Sequence, residues 1–599
     1  MVAVKLSPQV SVSGQQSSRQ SKKVQWFAGC FGSSAQRRGA IVVLSSILML
    51  MLAGMVALSV DLGYVYTIQT ELKRATDAAA LAGAGALIEG PEAAYFRAAD
   101  FLLRNPVGSR ILIEDENRTQ RIEQWLAEHP DEFECAVGHW NPTTRTFTES
   151  TDLPSTVRVV TAYRAAPLFF ARVFGYDQVE VRAESIARYQ PRDIVLVLDF
   201  SASMNDDSEL RRISEFGEQW RPCVEESLYQ IWQDLGSPEY GTLPFAPDYV
   251  TLVGLAPTRG CQPQIHVKFL EYERKVWVQS TLELSNVVVQ YSDGSRVRFD
   301  NLCGTSGTFG SGSKQIERVW VKSGCNESGE GPGYGERFER SWTNDNARIK
   351  SWFGLTCVPY PYPSGSWDEY INYVKSSSYI HAAKYRKKYG LMTLINYWLE
   401  QKPKFSETPD LWRTSAEPVY SLKQAVEVFV EHLGRVDCGD RLALAIYNSS
   451  SGWGLLEHPF TDDYSVISSI VQQRQAGHYD RYTNIGAGIQ QGWMHLDAQG
   501  RAGAKRIILL MTDGWANRPP SNPRGFALEQ AQIAASKNYT IMTVSFSIEA
   551  DTELMEEIAQ MTGGEHFNVP GGSSVQEYRE ELISVFRRLA DDRPLVLVK

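Results

Sequence analysis

The chain has 599 residues, too many for one hydrophobic core, and this length predicts two to four domains. Its hydrophobic content of 43% and its charged content of 22% are ordinary for folded protein. The net charge of −10 argues against a surface devoted to nucleic acid, so no nucleic-acid partner is expected.

An apolar segment near the N-terminus predicts a membrane-spanning helix. Residues 1–38 are polar and are interpreted as a disordered cytoplasmic leader. Residues 39–60 follow without a charge, and at about 1.5 Å per residue they span about 33 Å, enough to cross a bilayer core. The segment is long, begins late and lacks a small-x-small cleavage site, which favours a retained anchor over a cleaved signal peptide. Basic residues before it and Asp61 after it predict a cytoplasmic N-terminus.

The helix is expected to continue past the membrane, because good helix formers follow in QTELKRATDAAALAGAGAL. Strand-like segments come next, with a hairpin predicted around Asn141-Pro142. The succession R-R-G, an apolar span, V-D-L-G and then A-T-D-A-A-A-L-A-G-A, from Arg37 to about Leu87, resembles the N-terminal segment of TadE/TadG-like proteins. Those proteins belong to the tight-adherence (Flp) pilus-assembly systems of bacteria.

The TadE/TadG resemblance implies a TadG-like juxtamembrane helix and an α+β spacer domain over residues 61–190. It also implies a single-pass protein of the bacterial inner (cytoplasmic) membrane. The bulk of the chain would then be periplasmic or extracellular.

The stretch from Asp193 to Met204 predicts a buried strand that ends in a cluster of oxygen donors. Its aliphatic run, IVLVL, is typical of a strand covered on both faces, as in a parallel sheet. The run ends in D-x-S-x-S, at the sheet edge where open α/β sheets bind ligands. Carboxylate and hydroxyl oxygens suit Mg²⁺, with Mn²⁺ or Ca²⁺ as alternatives.

The remaining α/β pattern resumes only after a long interruption. The first helix expected after Met204 appears instead near Ser421, and strands and helices then alternate to about residue 590. This alternation predicts an α/β fold with a doubly wound parallel sheet. The order resembles a von Willebrand factor A (VWA) domain, formed by residues 191–204 and 419–590. Residues 205–418 are then a large β-rich insertion, and residues 591–599 form a tail without a predicted partner.

The VWA resemblance implies a metal-ion-dependent adhesion site (MIDAS) with ligands from three loops. The residues that match its motif are Asp199, Ser201 and Ser203 in the first loop, Thr483 in Y-T-N-I-G-A-G-I and Asp513 in L-L-M-T-D-G. Hydroxyl ligands are neutral, so the cation keeps an open position that a carboxylate from a protein partner completes. Gly486 and Gly488 are expected to serve helix packing rather than the cation.

The insertion is predicted to contain a β-sandwich-like module at about residues 250–340, with a hairpin at Asp293-Gly294. Residues 366–402 are predicted to be helical, with the basic run 386–388 on a solvated helix face. Five cysteines lie in the insertion, and a bond between Cys303 and Cys325 is the favoured pairing.

Three functions are consistent with these patterns. The first is a membrane-anchored protein that binds a protein partner through the MIDAS cation, in Flp/Tad pilus assembly, cell adhesion or envelope organisation. The second is a carbohydrate- or matrix-binding surface protein in which Trp277, Trp320 and Tyr334 of the β module stack on a glycan. The third is a structural pseudopilin-like subunit. No catalytic motif is visible in the sequence, so an enzyme is not expected.

Overall fold

A computed structural model of the protein describes residues 37–108, 118–255, 262–325, 334–435, 438–449, 454–570 and 575–599. The predicted leader, residues 1–38, lies almost wholly outside these ranges. The chain forms two compact units. One contains residues up to 70 together with residues 163–181, and the other contains residues 71–162 and 182–599.

The N-terminal region begins with a single long helix, which continues past the predicted membrane segment as expected. Its elements are α1 (Arg37–Gly85), α2 (Pro91–Arg104), α3 (Arg118–Glu128), β1 (Phe133–Asn141), β2 (Thr146–Glu149), β3 (Thr156–Pro167) and β4 (Gln178–Tyr189). The part of α1 from Ile41 onward is long and apolar enough to cross a membrane. The antiparallel pair β1 and β2 turns at residues 142–145, so the predicted hairpin is confirmed.

The strand β5 (Arg192–Leu198) comes next and is followed by the insertion. The elements of the insertion are α4 (Arg211–Phe216), α5 (Arg221–Asp234), β6 (Asp248–Tyr249), β7 (Leu252–Gly254), β8 (Ile265–Leu270), β9 (Lys275–Ser280), β10 (Leu284–Tyr291), β11 (Arg296–Asp300), β12 (Ser306–Phe309), β13 (Ile316–Ser323), β14 (Glu336–Glu339), α6 (Asn346–Trp352), α7 (Trp367–Ser376), α8 (Ser378–Ala382), β15 (Lys388–Tyr389) and α9 (Leu391–Gln401).

Two four-stranded sheets make up the β-rich part of the insertion, in the orders β11-β10-β13-β14 and β12-β9-β8-β7. Alternate residues of their strands point inward, and the inward valines of both sheets share one buried cluster. The hydroxyls of Ser280 and Ser323, one from each sheet, lie 2.7 Å apart. The predicted hairpin at Asp293-Gly294 joins β10 to β11.

The C-terminal region completes the α/β fold. Its elements are α10 (Val419–Leu433), β16 (Arg441–Ile446), β17 (Leu455–Thr461), α11 (Tyr464–Gln472), α12 (Ile485–Gln499), β18 (Lys505–Thr512), α13 (Pro523–Ser536), β19 (Thr540–Phe546), α14 (Thr552–Thr562), β20 (His566–Val569), α15 (Val575–Asp591) and β21 (Leu595–Leu597).

A six-stranded sheet in the order β17-β16-β5-β18-β19-β20 forms the core of this region. The strands β16, β5, β18, β19 and β20 are parallel, and β17 is an antiparallel edge strand that the sequence pattern did not indicate. The central strand β5 is buried along its whole length, because its aliphatic residues pack into separate clusters on the two faces of the sheet. The doubly wound parallel fold predicted from the sequence is therefore present.

The last strand, β21, pairs antiparallel with β4, with Leu595 opposite Tyr189. It closes a second sheet in the order β2-β1-β3-β4-β21. The tail for which the sequence showed no partner is thus an edge strand of the spacer sheet.

Two expectations about the insertion are wrong. Cys325 is disulfide-bonded, whereas Cys303 is a free, exposed thiol, so these two cysteines are not paired. The basic run 386–388 does not lie on a solvated helix face, because the chain leaves helical structure after α8. Lys387 is instead buried, with its ammonium 2.7 Å from the carboxylate of Glu271, and this ion pair supplies the compensation that a buried charge needs.

Candidate metal centre

Asp199 lies at the carboxyl end of β5, where the parallel register brings it beside the end of β18. Val197 of β5 is opposite Leu510 of β18, and the two strands end together. The Thr512 hydroxyl donates to Asp199 Oδ2 at 2.9 Å. The carboxylate of Asp199 is fully buried. The first and third predicted loops therefore meet at one edge of the sheet.

Hydrogen bonds connect four of the five predicted site residues. The Ser201 N–H donates to Asp199 Oδ1 at 2.8 Å. The Ser201 and Ser203 hydroxyls lie 2.8 Å apart, and the Ser203 hydroxyl donates to Asp513 Oδ1 at 2.8 Å. The side chains of Asp199, Ser201, Ser203 and Asp513 therefore form one continuous polar cluster.

The loop of Thr483 is tied to the first and third loops by hydrogen bonds that involve its backbone. Its N–H donates to Asn517 Oδ1 at 3.0 Å, and the Asn517 N–H donates back to the Thr483 carbonyl at 2.9 Å. The Ala202 N–H donates to the Arg481 carbonyl at 3.3 Å, which ties the second loop to the first. Thr483 itself is almost fully buried. Asn517, which no sequence motif singled out, therefore fixes the second loop to the third.

The two glycines of the second loop serve helix packing, as predicted. A Cβ at Gly486 would lie 2.3 Å from the Phe526 ring, and a Cβ at Gly488 would lie 2.6 Å from the Tyr447 ring. Only glycine permits these close approaches of α12, to α13 at Gly486 and to the sheet at Gly488. The Asn484 side chain caps α12 by accepting the Ala487 N–H at 3.2 Å. This packing sets the position of Thr483 immediately before the helix.

The electrostatics of the cluster are those of two carboxyl groups held away from water. Burial raises the pKa of Asp199 to about 6, although the Ser201 N–H and nearby hydroxyls act against this shift. Burial also raises the pKa of Asp513 well above its ordinary value, and the negative charge of Asp199 raises that pKa further. Asp206, another residue that the sequence did not indicate, also raises the pKa of Asp513.

The donor set fits a hard divalent cation. Two buried carboxylates and two serine hydroxyls lie in one hydrogen-bonded chain, and the charge of Asp199 acts on Asp513. A cation beside them would replace the repulsion between the carboxylates by attraction. No cluster of three or more His, Cys, Asp or Glu side chains suited to a metal occurs among the residues that the structure describes. The candidate site at Asp199 is not a cluster of that kind, because it combines two carboxylates with hydroxyl donors.

The insertion borders the candidate centre on the side of the second loop. The Leu210 N–H, near the start of the insertion, donates to Asn396 Oδ1 of α9 at 2.6 Å. Just after α9, the Lys404 ammonium lies 3.2 Å from an Asp480 carboxylate oxygen, three residues before Thr483. The side of the third loop carries the indole of Trp515, which is 62% exposed. Trp515 therefore borders the centre without packing into the core.

Family comparisons agree with the two resemblances in the sequence. Residues 39–86 match the family described as Flp pilus-assembly TadE/G-like. Residues 74–187 match the Tad-like Flp pilus-assembly family, and residues 412–581 match the von Willebrand factor type A domain. A comparison with curated proteins found no match.

Several solved structures are similar to part of this chain. An aerotolerance-related membrane protein from Bacteroides fragilis is 14% identical, covering 28% of this chain and 88% of its own, with a TM-score of 0.23. A von Willebrand factor type A protein from Catenulispora acidiphila is 16% identical, covering 29% of this chain and 37% of its own, with a TM-score of 0.23.

Proximal thread matrix protein 1 from the mussel byssus is 10% identical and covers 69% of this chain and 98% of its own, with a TM-score of 0.23. We draw no conclusion from similarities at this level. The fold assignment depends on the strand order and on the family matches. The chain therefore carries a TadE/G-like N-terminal segment, with one helix apolar enough to anchor it in a membrane, and a VWA domain.

Proposed function

We propose that this membrane-anchored protein binds a carboxylate of a protein partner through a divalent cation held by Asp199, Ser201, Ser203, Thr483 and Asp513. The observation that carries the proposal is the hydrogen-bonded cluster of Asp199, both serines and Asp513, which contains two buried carboxylates. The family matches support a role in pilus assembly or adhesion.

The cation would be Mg²⁺, or Mn²⁺ or Ca²⁺, because the proposed ligands are oxygen atoms only. Asp199 and Asp513 would contribute the negative charge. The serine and threonine hydroxyls are neutral, so the bound ion would keep a net positive charge toward an incoming carboxylate. The protein residues themselves position these oxygens and keep bulk water away from Asp199.

Trp515 would contribute to the partner interface. Its indole stands exposed two residues after Asp513, and exposed tryptophans beside a binding centre are common sources of binding energy. The guanidinium of Arg518 lies 3.5 Å from the centre of the Tyr482 ring, which stiffens the adjoining surface. A rigid aromatic rim would surround the carboxylate of the partner.

The proposed location is the bacterial inner membrane, with residues 39–60 crossing it once and the N-terminus in the cytoplasm. The VWA domain would then lie in the periplasm or outside the cell, in reach of pilus subunits or other envelope proteins. We propose no catalytic activity, since the Ser203 hydroxyl donates to Asp513 within the metal cluster and is not paired with a histidine base there.

The glycan alternative has less support from the structure. Trp320, one of its three aromatic residues, is fully buried and contacts the Arg296 guanidinium and the Tyr334 ring, so it cannot stack on a sugar. This packing agrees with a core role for Trp320. The pseudopilin-like alternative, in which α1 packs into an assembly, requires only the helix and has no observation in its favour beyond the TadE/G-like match.

The decisive experiment is capture of partners from native envelopes by the full chain, with Mg²⁺ and with a chelator. Asp199→Ala is the test variant, and Asp462→Ala, an exposed aspartate outside the cluster, is the matched control. We expect the same envelope protein to bind the wild type and the Asp462→Ala control in Mg²⁺ and to be lost with chelator or in Asp199→Ala. Equal capture in all conditions would contradict the proposal.

A further inference from the structure

The turn between β3 and β4, residues 168–177, exposes an unusual set of apolar side chains. We call this sequence, LFFARVFGYD, the aromatic turn. Val173 is 84% exposed and Phe174 is 81% exposed, and Phe169, Phe170 and Tyr176 are also exposed. Surface loops of folded proteins are usually polar, so this concentration of apolar side chains indicates contact with something other than water.

The aromatic turn is fixed to α1 by the side chain of Asp61. This carboxylate accepts the backbone N–H groups of Phe169 at 2.8 Å, Phe170 at 3.0 Å and Ala171 at 2.7 Å. Tyr64, one helical turn later, contacts the Phe169 ring edge to face with centroids 5.1 Å apart. A carboxylate that accepts three N–H groups is a strong anchor, and Asp61 is buried by these contacts.

The anchor point lies at the end of the apolar part of α1. The segment from Ile41 to Val60 carries no charge, and Asp61 follows it directly. Residues 41–56 are all exposed, and Ala57 is the first helix residue that is partly covered. With a rise of about 1.5 Å per residue, Ala57 is about 6 Å before Asp61 along the helix axis. The aromatic turn is therefore held at the level where α1 would leave the hydrocarbon core.

The composition of the aromatic turn fits the boundary between lipid headgroups and acyl chains. Phenylalanine and valine enter the upper acyl region, and tyrosine is enriched at membrane interfaces. Arg172, which is exposed and pairs with exposed Asp177 through a 3.2 Å contact, is suited to face lipid phosphates. A cytoplasmic or periplasmic protein partner would not require the turn to sit beside a membrane-spanning helix.

We propose that the aromatic turn inserts the side chains of Val173 and Phe174 into the same membrane leaflet from which α1 emerges. Asp61 is the positioning residue for this contact, since it holds three successive N–H groups of the turn against the helix. A single spanning helix can change its tilt and depth in a bilayer. A second lipid contact, rigidly attached at Asp61, limits both for α1.

The test measures the depth of Phe174 in a membrane. The full chain is placed in nanodiscs of phosphatidylethanolamine and phosphatidylglycerol, with an environment-sensitive fluorescent amino acid incorporated at Phe174. A second sample carries it at Thr143, an exposed residue of the turn between β1 and β2. Lipids with a nitroxide near the headgroup end of the acyl chain then act as quenchers.

We expect blue-shifted emission and quenching by at least about one half at Phe174, with little change at Thr143, since only the first side chain enters the acyl boundary. Water-like emission without quenching at Phe174 would overturn the proposal. Blue-shifted emission without quenching would overturn it as well, because it would indicate a protein surface instead of lipid.

A second measurement isolates the role of Asp61. The Asp61→Ala variant removes the acceptor for three N–H groups, so quenching at Phe174 should fall by at least about twofold as the turn loses its fixed depth. The thermal unfolding midpoint of the rest of the chain shows whether the variant is folded. Unchanged quenching in a folded Asp61→Ala variant would overturn the positioning role of Asp61.

Discussion

The sheet edge at Asp199 and the aromatic turn at residues 168–177 depart from ordinary burial in opposite directions. At the sheet edge, the carboxylates of Asp199 and Asp513 are withdrawn from water, which opposes their ionisation. In the aromatic turn, Val173 and Phe174 are left in water, where apolar surface is unfavourable. We propose a complementary environment for each departure: a cation for the buried carboxylates, and lipid for the exposed apolar groups.

The largest effect is expected from removing one of the buried carboxylates at the sheet edge. Asp199→Asn should weaken Mg²⁺ binding by at least about 100-fold, because it removes charge and a ligand from the centre. The Mg²⁺-dependent rise in the thermal unfolding midpoint should disappear with it. Without metal, the variant should be at least as stable as the wild type, since the repulsion between the two buried anions is gone. A strong loss of stability in chelator would show that the carboxylate is structural.

A pH series should separate the metal-free and metal-bound states. The pKa of Asp199 is about 6 in the folded chain against an ordinary value of 3.8, so the folded state holds this proton more tightly. In chelator, this contribution to the unfolding free energy is present below about pH 4 and is lost as the pH rises through about 6, by about 3 kcal/mol.

With Mg²⁺ the direction should reverse, because the cation binds the ionised carboxylates, and stabilisation by Mg²⁺ should grow between about pH 5 and pH 7.5. Denaturant titrations at each pH measure both trends. The Asp199→Asn variant is the control that removes the contribution of this group. An identical pH dependence of the wild type and the variant in chelator would contradict the assignment.

Trp515 tests whether the rim of the centre binds the partner. Trp515→Ala should weaken partner binding by about 30-fold while leaving Mg²⁺ affinity unchanged, because the exposed indole contacts the partner and not the ion. Calorimetry with Mg²⁺ and with the captured partner measures the two effects separately. A parallel loss of Mg²⁺ affinity would mean that Trp515 supports the loop of Asp513 instead.

Asn517 tests the link between the second and third loops. Asn517→Ala removes the acceptor for the Thr483 N–H, and Mg²⁺ affinity should fall by about 10-fold as Thr483 loses its fixed position. Asn517→Asp keeps an acceptor at the same place and should retain more of the affinity. Equal affinities for wild type and Asn517→Ala would show that Thr483 is positioned without Asn517.

The smallest effect is expected in the aromatic turn. Phe174→Ser should change the free energy of unfolding of the chain in detergent by no more than about 0.5 kcal/mol, since the side chain packs against little protein. Phe338→Ala, in which the lost ring is almost fully buried, is the contrasting variant and should cost about 3–5 kcal/mol. A cost above about 2 kcal/mol for Phe174→Ser would indicate a packing role for the turn.

Part of the candidate centre could be predicted from the sequence, namely the side chains that come just after a buried strand. Asp199 comes directly after an aliphatic run, and Asp513 is separated from another such run by Thr512 alone. Runs of that kind form neighbouring parallel strands whose ends meet. Asn517 and Asp206 could not be found in this way. Their proximity to the cluster depends on how two loops return over the sheet edge, and no periodic pattern encodes that path.

The errors in the prediction share a physical cause. The edge strand β17, LLEHPFT, is only partly buried and includes Pro459, so it shows neither an aliphatic run nor clear alternation. Lys387 looks like a solvated residue in its local sequence, and its burial depends on Glu271, more than a hundred residues earlier. The disulfide of Cys325 likewise depends on tertiary proximity. Long-range pairing therefore decided the features that local patterns missed.

The measurement that tests the central claim most directly is a calorimetric titration of Mg²⁺ into the chelator-treated full chain, with Asp199→Asn and Asp462→Asn beside the wild type. We predict one site per chain, present in the wild type and in Asp462→Asn and absent in Asp199→Asn. Binding that persists in Asp199→Asn, or an absence of binding in the wild type with Mg²⁺, Mn²⁺ and Ca²⁺ alike, would contradict the assignment of a metal centre at this sheet edge.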